Sequence, residues 1–283
     1  MMAGPIGLLG GLEHCPGTES IDAYMLDQVG ASSPSVVVLP FASLPWQAKA
    51  AGELARSHWA RLGTRVEVLF RQRGIPDLAT IDSIRNADVI VLPGGVPDRL
   101  VGLLRGTLLW EEIAARWRTG AGITGSSAGA MALFERRVSL YPSHPLRLVP
   151  GLRLLAGYVA GPHFDRLRVR RWHGFVLPRI SPLGILGLDE STGLVGRPGA
   201  MKVLGSGQVT VVKADRFEAH SAGAVIDLDL LGDGNTAEPQ RPPGQSDEPR
   251  ARMFPSESLN QEVFSPSGEW RIPSTVLKSG PRS

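Results

Sequence analysis

Runs of mostly apolar, often β-branched residues recur at 6–9, 36–39, 66–70, 89–92 and 122–124. They lack the strict alternation of a half-exposed sheet and read as strands buried on both faces. Between the second and third runs, residues 45–62 carry Trp46, Ala50, Leu54, Ala55, Trp59 and Leu62 at near-helical spacing, which predicts a crossover helix. A second helical region spans 98–118, broken near Gly106-Thr107, and a third begins at Ser127. Strand, helix, parallel strand in repetition is the pattern of an α/β fold with a doubly wound, mostly parallel sheet and helices on both faces, as in flavodoxin-like proteins. After Pro150 the runs shorten to 183–188, 193–195, 201–204, 209–212 and 224–228, separated by glycines. These predict a few antiparallel strands that close the same domain.

From Asp233 onward the chain turns to proline, serine, glutamine and mixed charge, with too little apolar area to offset the entropy of ordering. The division expected is a catalytic α/β domain over 1–232 and a disordered or loosely docked tail over 233–283. Met253, Phe254, Val263 and Phe264 are the tail's candidates for docking. No apolar run approaches the roughly 20 residues of a spanning helix, so no membrane partner is expected. The N-terminus lacks a basic region ahead of its short apolar run and reads as a first strand, not a signal peptide. Cys15 is the single cysteine, which excludes an internal disulfide and suits a cytoplasmic location. The net charge of +3 comes from interleaved acids and bases, so no nucleic-acid partner is expected. Neither a phosphate-binding loop nor a ligand-spaced cluster of histidines and acids is present, so no cofactor and no metal are expected.

The chemistry concentrates at GITGSSAGA, where Gly125, Ser126, Ser127, Ala128 and Gly129 satisfy GxSxG. By itself the pattern is weak, arising by chance in roughly a third of chains of this composition. Its setting is more specific: it follows an apolar strand, opens a helix and lies at the carboxyl edge of a parallel sheet, where open α/β folds bind ligands. A nucleophile projecting from so sharp a turn needs small neighbours, and Gly125, Ala128, Gly129 and Ala130 supply them. The amide of Ala128 is then placed to stabilise an oxyanion. The plain alternative is a small-residue turn that serves helix-to-strand packing alone.

A serine nucleophile needs a base and a group to orient it. Of six histidines, His163 ends an apolar segment just after Gly161-Pro162, a break that delivers its ring to a sheet edge. In LGILGLDESTGLV both Asp189 and Glu190 stand between two strands, and composition does not choose between them. Pro93-Gly94-Gly95 follows a buried strand, where glycine backbone can approach a ligand and donate an N–H.

Taken together these stations resemble the serine peptidase family of cyanophycinase and dipeptidase E, which shares the fold of class I glutamine amidotransferases. The likeness runs over about 7–231 and rests on Gly10-Gly11 with Glu13, Pro93-Gly94-Gly95, SSAGA, HF followed by an arginine series, and GLDEST. It implies a triad of Ser127, His163 and Glu190, with the N–H groups of Gly95 and Ala128 as the oxyanion hole. Arg166, Arg168 and Arg171 keep the family's RxRxxR spacing and imply a site for a substrate carboxylate. Val96-Pro97 and Gly161-Pro162 depart from the polar residues that cyanophycinases carry in those places. The function expected is a serine-type peptidase or isopeptidase acting on a small acidic peptide through an acyl-enzyme, with no partner beyond that substrate except a second copy in a homodimer. The competing reading is a non-catalytic amidotransferase-like module that binds a ligand or partner. An esterase is the weaker third, since its usual order of serine, acid, histidine is not the order here.

Overall fold

The computed structural model describes residues 2–71, 76–139, 147–166, 180–213 and 216–231. Residues 233–283 lie outside these, as do Arg168 and Arg171.

Four parallel strands carry the core of the main sheet: β1 (Ile6–Leu9), β2 (Ser35–Val38), β4 (Val89–Leu92) and β5 (Gly122–Ser126). β3 (Arg65–Val68) lies parallel to β2 at one edge. Successive side chains on a strand point to opposite faces, and the residues divide accordingly. Val36, Val38, Val89 and Val91 enter one apolar layer together with Ile21 and Met25 of α1 (Glu19–Val29) and Ala55 and Trp59 of α2 (Ala48–Arg61). Val37, Leu39, Ile90, Leu92, Ile6 and Leu8 enter the other. That layer is roofed by α3 (Leu78–Arg85), α4 (Pro97–Leu104), α5 (Leu108–Arg118) and α6 (Ala128–Leu133). Full burial of each such aliphatic side chain contributes about 1.5–3 kcal/mol before entropy is counted. The sheet is therefore doubly wound, as its apolar runs predict.

On the far side of β1 the sheet continues with antiparallel strands β10 (Thr192–Arg197), β11 (Ala200–Gly205) and β14 (Val225–Ile226), giving the order β14-β11-β10-β1-β5-β4-β2-β3. The remaining late strands form a second sheet, β13-β12-β9-β8, from β8 (Tyr158–Pro162), β9 (Gly184–Leu188), β12 (Gln208–Lys213) and β13 (Arg216–Ser221). Within it β8 and β9 run parallel. β6 (Arg136–Val138) and β7 (Leu148–Pro150) form a separate pair.

Several details differ from the sequence reading. β3 is not buried on both faces: it is the edge strand, so Arg65 and Glu67 face solvent and Phe70 beyond it is exposed. The crossover helix begins at Ala48, which leaves Trp46 ahead of it and exposed, and within the helix Leu54 faces solvent while Ala55 and Trp59 face the sheet. Helices α1 and α3 are additional, and α3 is only eight residues long, started by Asp77, whose side chain accepts the Thr80 N–H at 2.8 Å.

Candidate active site

Ser127 sits where β5 passes directly into α6, with φ 48° and ψ −107°. This strained conformation is rare for a residue with a side chain and turns Oγ out of the strand end. The turn closes because α6 lies hard against β4: a Cβ added to Gly129 would sit 2.0 Å from the Leu92 carbonyl oxygen. The small residues at this position thus answer a close approach of backbone to backbone. α6 has six residues, all buried, so the dipole expected behind Ser127 is that of a short helix.

The strand ends bring the distant stations together. Ser127 Oγ lies 3.0 Å from His163 Nε2, and His163 Nδ1 lies 2.7 Å from Glu190 Oε1. His163 stands immediately after β8 with φ 52°, and Glu190 two residues beyond β9, so the parallel pairing of β8 and β9 sets imidazole beside carboxylate. Of the two acids left open by the sequence, Glu190 is the one that lies beside the imidazole. Asp189 points the other way and accepts the Gln208 N–H at 2.8 Å, and its carboxyl is pushed up chiefly by burial. Glu190 is itself fixed, its N–H donating to Asp165 Oδ1 at 3.1 Å and its carbonyl accepting from the Thr192 hydroxyl at 3.0 Å.

Arg166 donates to the second oxygen of Glu190 at 2.7 Å. Its expected role at a substrate carboxylate is thus joined by an orienting contact within the constellation, and half of its side chain stays exposed. Arg168 and Arg171 fall outside the described residues. The N–H groups of Gly95 and Ala128 have no hydrogen-bond partner among the described residues, and both belong to segments that flank Ser127.

The loop after β1 ties these parts to one another. Three successive carbonyls, of Leu9, Gly10 and Gly11, accept the N–H groups of Ser127 at 2.9 Å, His163 at 2.9 Å and Ser191 at 3.1 Å. Gly11, at φ 133°, is in van der Waals contact with the imidazole; an added Cβ would stand 2.3 Å from His163 Cε1. Glu13, present in the sequence only as part of a motif without a role, accepts the Gly94 N–H and the Ser126 hydroxyl, both at 2.6 Å. Beneath the loop, Trp59 Nε1–H donates to His14 Nε2 at 3.3 Å, and His58 Nε2 meets Asp22 Oδ2 at 2.8 Å in full burial. Burial lowers the His14 pKa to about 4 and raises that of Asp22. Cys15, the one other thiol or hydroxyl nucleophile on this loop apart from Thr18, has its pKa raised by burial and then by the charges of Glu13 and Glu190, which keeps it a thiol at neutral pH. Among the described residues no group of three or more histidine, cysteine or acidic side chains is set to hold a metal ion, and no helix is long and apolar enough to cross a membrane.

Comparison with known proteins places this geometry in context. The family model of Peptidase family S51 matches residues 7–203. A cyanophycinase of Geminocystis herdmanii (strain PCC 6308) is 28% identical over 193 residues, 60% of this chain and 71% of that protein. The uncharacterized peptidase YgaJ of Bacillus subtilis (strain 168) is 28% identical over 170 residues, 57% of this chain and 68% of its own. The crystal structure of a peptidase from an acI-B1 Actinobacterium superposes with a TM-score of 0.70 over 80% of this chain and 98% of that one, at 24% identity, a likeness of fold.

Proposed function

Because the chain belongs to Peptidase family S51 and is therefore a hydrolase of peptide bonds, we propose that it is a serine-type peptidase or isopeptidase acting on a small acidic peptide through an acyl-enzyme. The observation that carries this reading is the continuous relay of Ser127 Oγ, His163 Nε2, His163 Nδ1 and Glu190 Oε1, at 3.0 and 2.7 Å. Hydrogen-bond reach in both links is what a nucleophile, its base and an orienting acid require.

In this mechanism Ser127 Oγ adds to the scissile carbonyl carbon as its proton passes to His163 Nε2. Glu190 holds the Nδ1–H and stabilises the imidazolium that forms. The carbonyl oxygen takes the displaced electron pair and accepts from the N–H groups of Gly95 and Ala128. Collapse of the tetrahedral adduct breaks the C–N bond, and the leaving amine takes the proton from His163, leaving an ester on Ser127. Water, deprotonated by the same imidazole, then releases the acid and restores the hydroxyl.

The acidic substrate is supported by the arginine series. A guanidinium carries five N–H donors, so Arg166 retains donors after its contact with Glu190, and Arg168 and Arg171 follow it in sequence. The similarity to a cyanophycinase and to a further peptidase agrees with a peptide or isopeptide bond. A panel of dipeptides and β-linked isopeptides tests the reading. Acidic members are expected to show kcat/KM at least about tenfold above neutral isosteres, as charge-assisted bonds to a carboxylate warrant. R168Q and R171Q are expected to erode that preference. Equal turnover of acidic and neutral peptides would remove the acidic specificity.

A further inference from the structure

Glu13 belongs to no triad and lies outside the oxyanion donors, yet its carboxylate makes two of the shortest hydrogen bonds in the site. One runs to the Gly94 N–H, in the turn that carries Gly95, and the other to the hydroxyl of Ser126, the residue before the nucleophile, both at 2.6 Å. The turn passes close by: a Cβ built on Gly94 would lie 2.8 Å from Glu13 Oε1 and 3.4 Å from Ser127 Cβ. Gly95 follows with φ 140°, a conformation open to glycine and few others.

A Gly-Gly peptide can rotate as a unit, exchanging the Gly95 N–H for the Gly94 carbonyl at little steric cost. The first orientation presents a donor to a developing oxyanion and the second presents an acceptor, so only a fixed orientation is of use. The flanking peptides are both held. Glu13 holds the Gly94 N–H on one side, and on the other the Val96 N–H donates to the Ala42 carbonyl at 2.9 Å. Glu13 is in turn held by its own loop, where Leu12 and His14 both adopt positive φ and Trp59 donates to His14. We propose that Glu13 is a positioning residue that locks the Gly94-Gly95 peptide with its donor toward Ser127 and joins that turn to the strand bearing the nucleophile.

The inference rests on the serine-hydrolase reading above. A carboxylate's charge opposes a nearby oxyanion, so the role is geometric, and a neutral side chain that still accepts from Gly94 can replace it. The test uses the full chain with E13Q, E13A and E13D, and the probe is a fluorophosphonate, whose phosphoryl oxygen occupies the place of the oxyanion. The second-order rate of Ser127 labelling is measured against pH, with melting temperature alongside. Removing one oxyanion-hole donor costs about 10²–10³ in rate, so E13A, which frees the turn without deleting the donor, is expected to label about 10- to 100-fold more slowly. E13Q is expected within about threefold of the parent, and E13D, too short to span both donors, is expected to be slow like E13A. If E13A does not fold, the contrast between E13D and E13Q carries the test. Labelling of E13Q as slow as that of E13A or E13D would overturn the positioning role. Parent-like labelling of E13A would remove it while leaving the serine mechanism standing. An unlabelled parent protein would remove both.

Discussion

Ser127 holds a backbone conformation that costs on the order of 1–3 kcal/mol, and the loop after β1 that accepts its N–H also accepts those of His163 and of Ser191, the residue after Glu190. Replacing Glu190 by glutamine keeps the size but alters the tautomer that His163 can adopt. In triad mechanisms that change lowers kcat by about 10⁴, and steady-state turnover of E190Q is expected to fall by about that much with KM little changed. A second residue-scale expectation concerns acid. The folded protein holds His14 neutral, at a pKa of about 4 against 6.5 for the free side chain, through burial and despite the opposing charge of Glu13. The unfolded chain therefore takes up this proton below about pH 6.5 and the folded one only near pH 4, so the contribution is complete above that window and is lost as pH falls through it, roughly 3 kcal/mol in all. Asp22, whose carboxyl burial raises, contributes with the opposite sign. Denaturant melts between pH 7 and 4.5 are expected to show less loss in H14Q than in the parent chain. An unchanged slope would place the acid sensitivity elsewhere.

Among the elements, the strand-to-helix elbow and the broken helix at 98–118 are local matters, and both are legible in sequence. GxSxG after an apolar run fixes β5 and α6, and Gly106-Thr107 separates α4 from α5, with the Thr107 hydroxyl accepting the Trp110 N–H. The role of Glu13 was not legible, because its two partners lie 81 and 113 residues away and no periodicity links them. The same holds for the choice between Asp189 and Glu190, two adjacent acids that a turn sends in opposite directions. Trp46 and Leu54 misled for a different reason: a near-helical apolar spacing says neither where a helix starts, and Trp46 precedes it, nor which of its residues reach the sheet, and Leu54 does not. At this scale Gly129→Ala is the sharpest probe of the elbow. Its methyl meets the Leu92 carbonyl at 2.0 Å, backbone that can yield only by displacing α6 from β4. A loss of about 1–3 kcal/mol or more is expected from such overpacking, measured by chemical denaturation and accompanied by a fall in kcat.

Over the whole molecule, the site forms where two sheets meet through the loop after β1: the main sheet presents Ser127 and the Gly94-Gly95 turn, and the second presents His163 and Glu190. The parallel half of the architecture follows from buried apolar runs. The split of the late strands between two sheets does not, since short strands of similar composition pair according to contacts made far along the chain. Leu228 and Leu230 are buried in the main core, whereas the composition changes beyond residue 232. A chain ending at residue 232 is therefore expected to keep its melting temperature within about 2 °C and its catalytic rate, and a marked loss of either would give the remaining segment a structural role. The central claim is that His163 makes the Ser127 hydroxyl reactive. Its most direct measurement is mass-spectrometric mapping of the adduct formed by a fluorophosphonate on the native chain and on H163A. The expected result is a single adduct on Ser127, slowed by several orders of magnitude in H163A. A folded native chain that stays unlabelled, or one that labels equally fast without the imidazole, would contradict it.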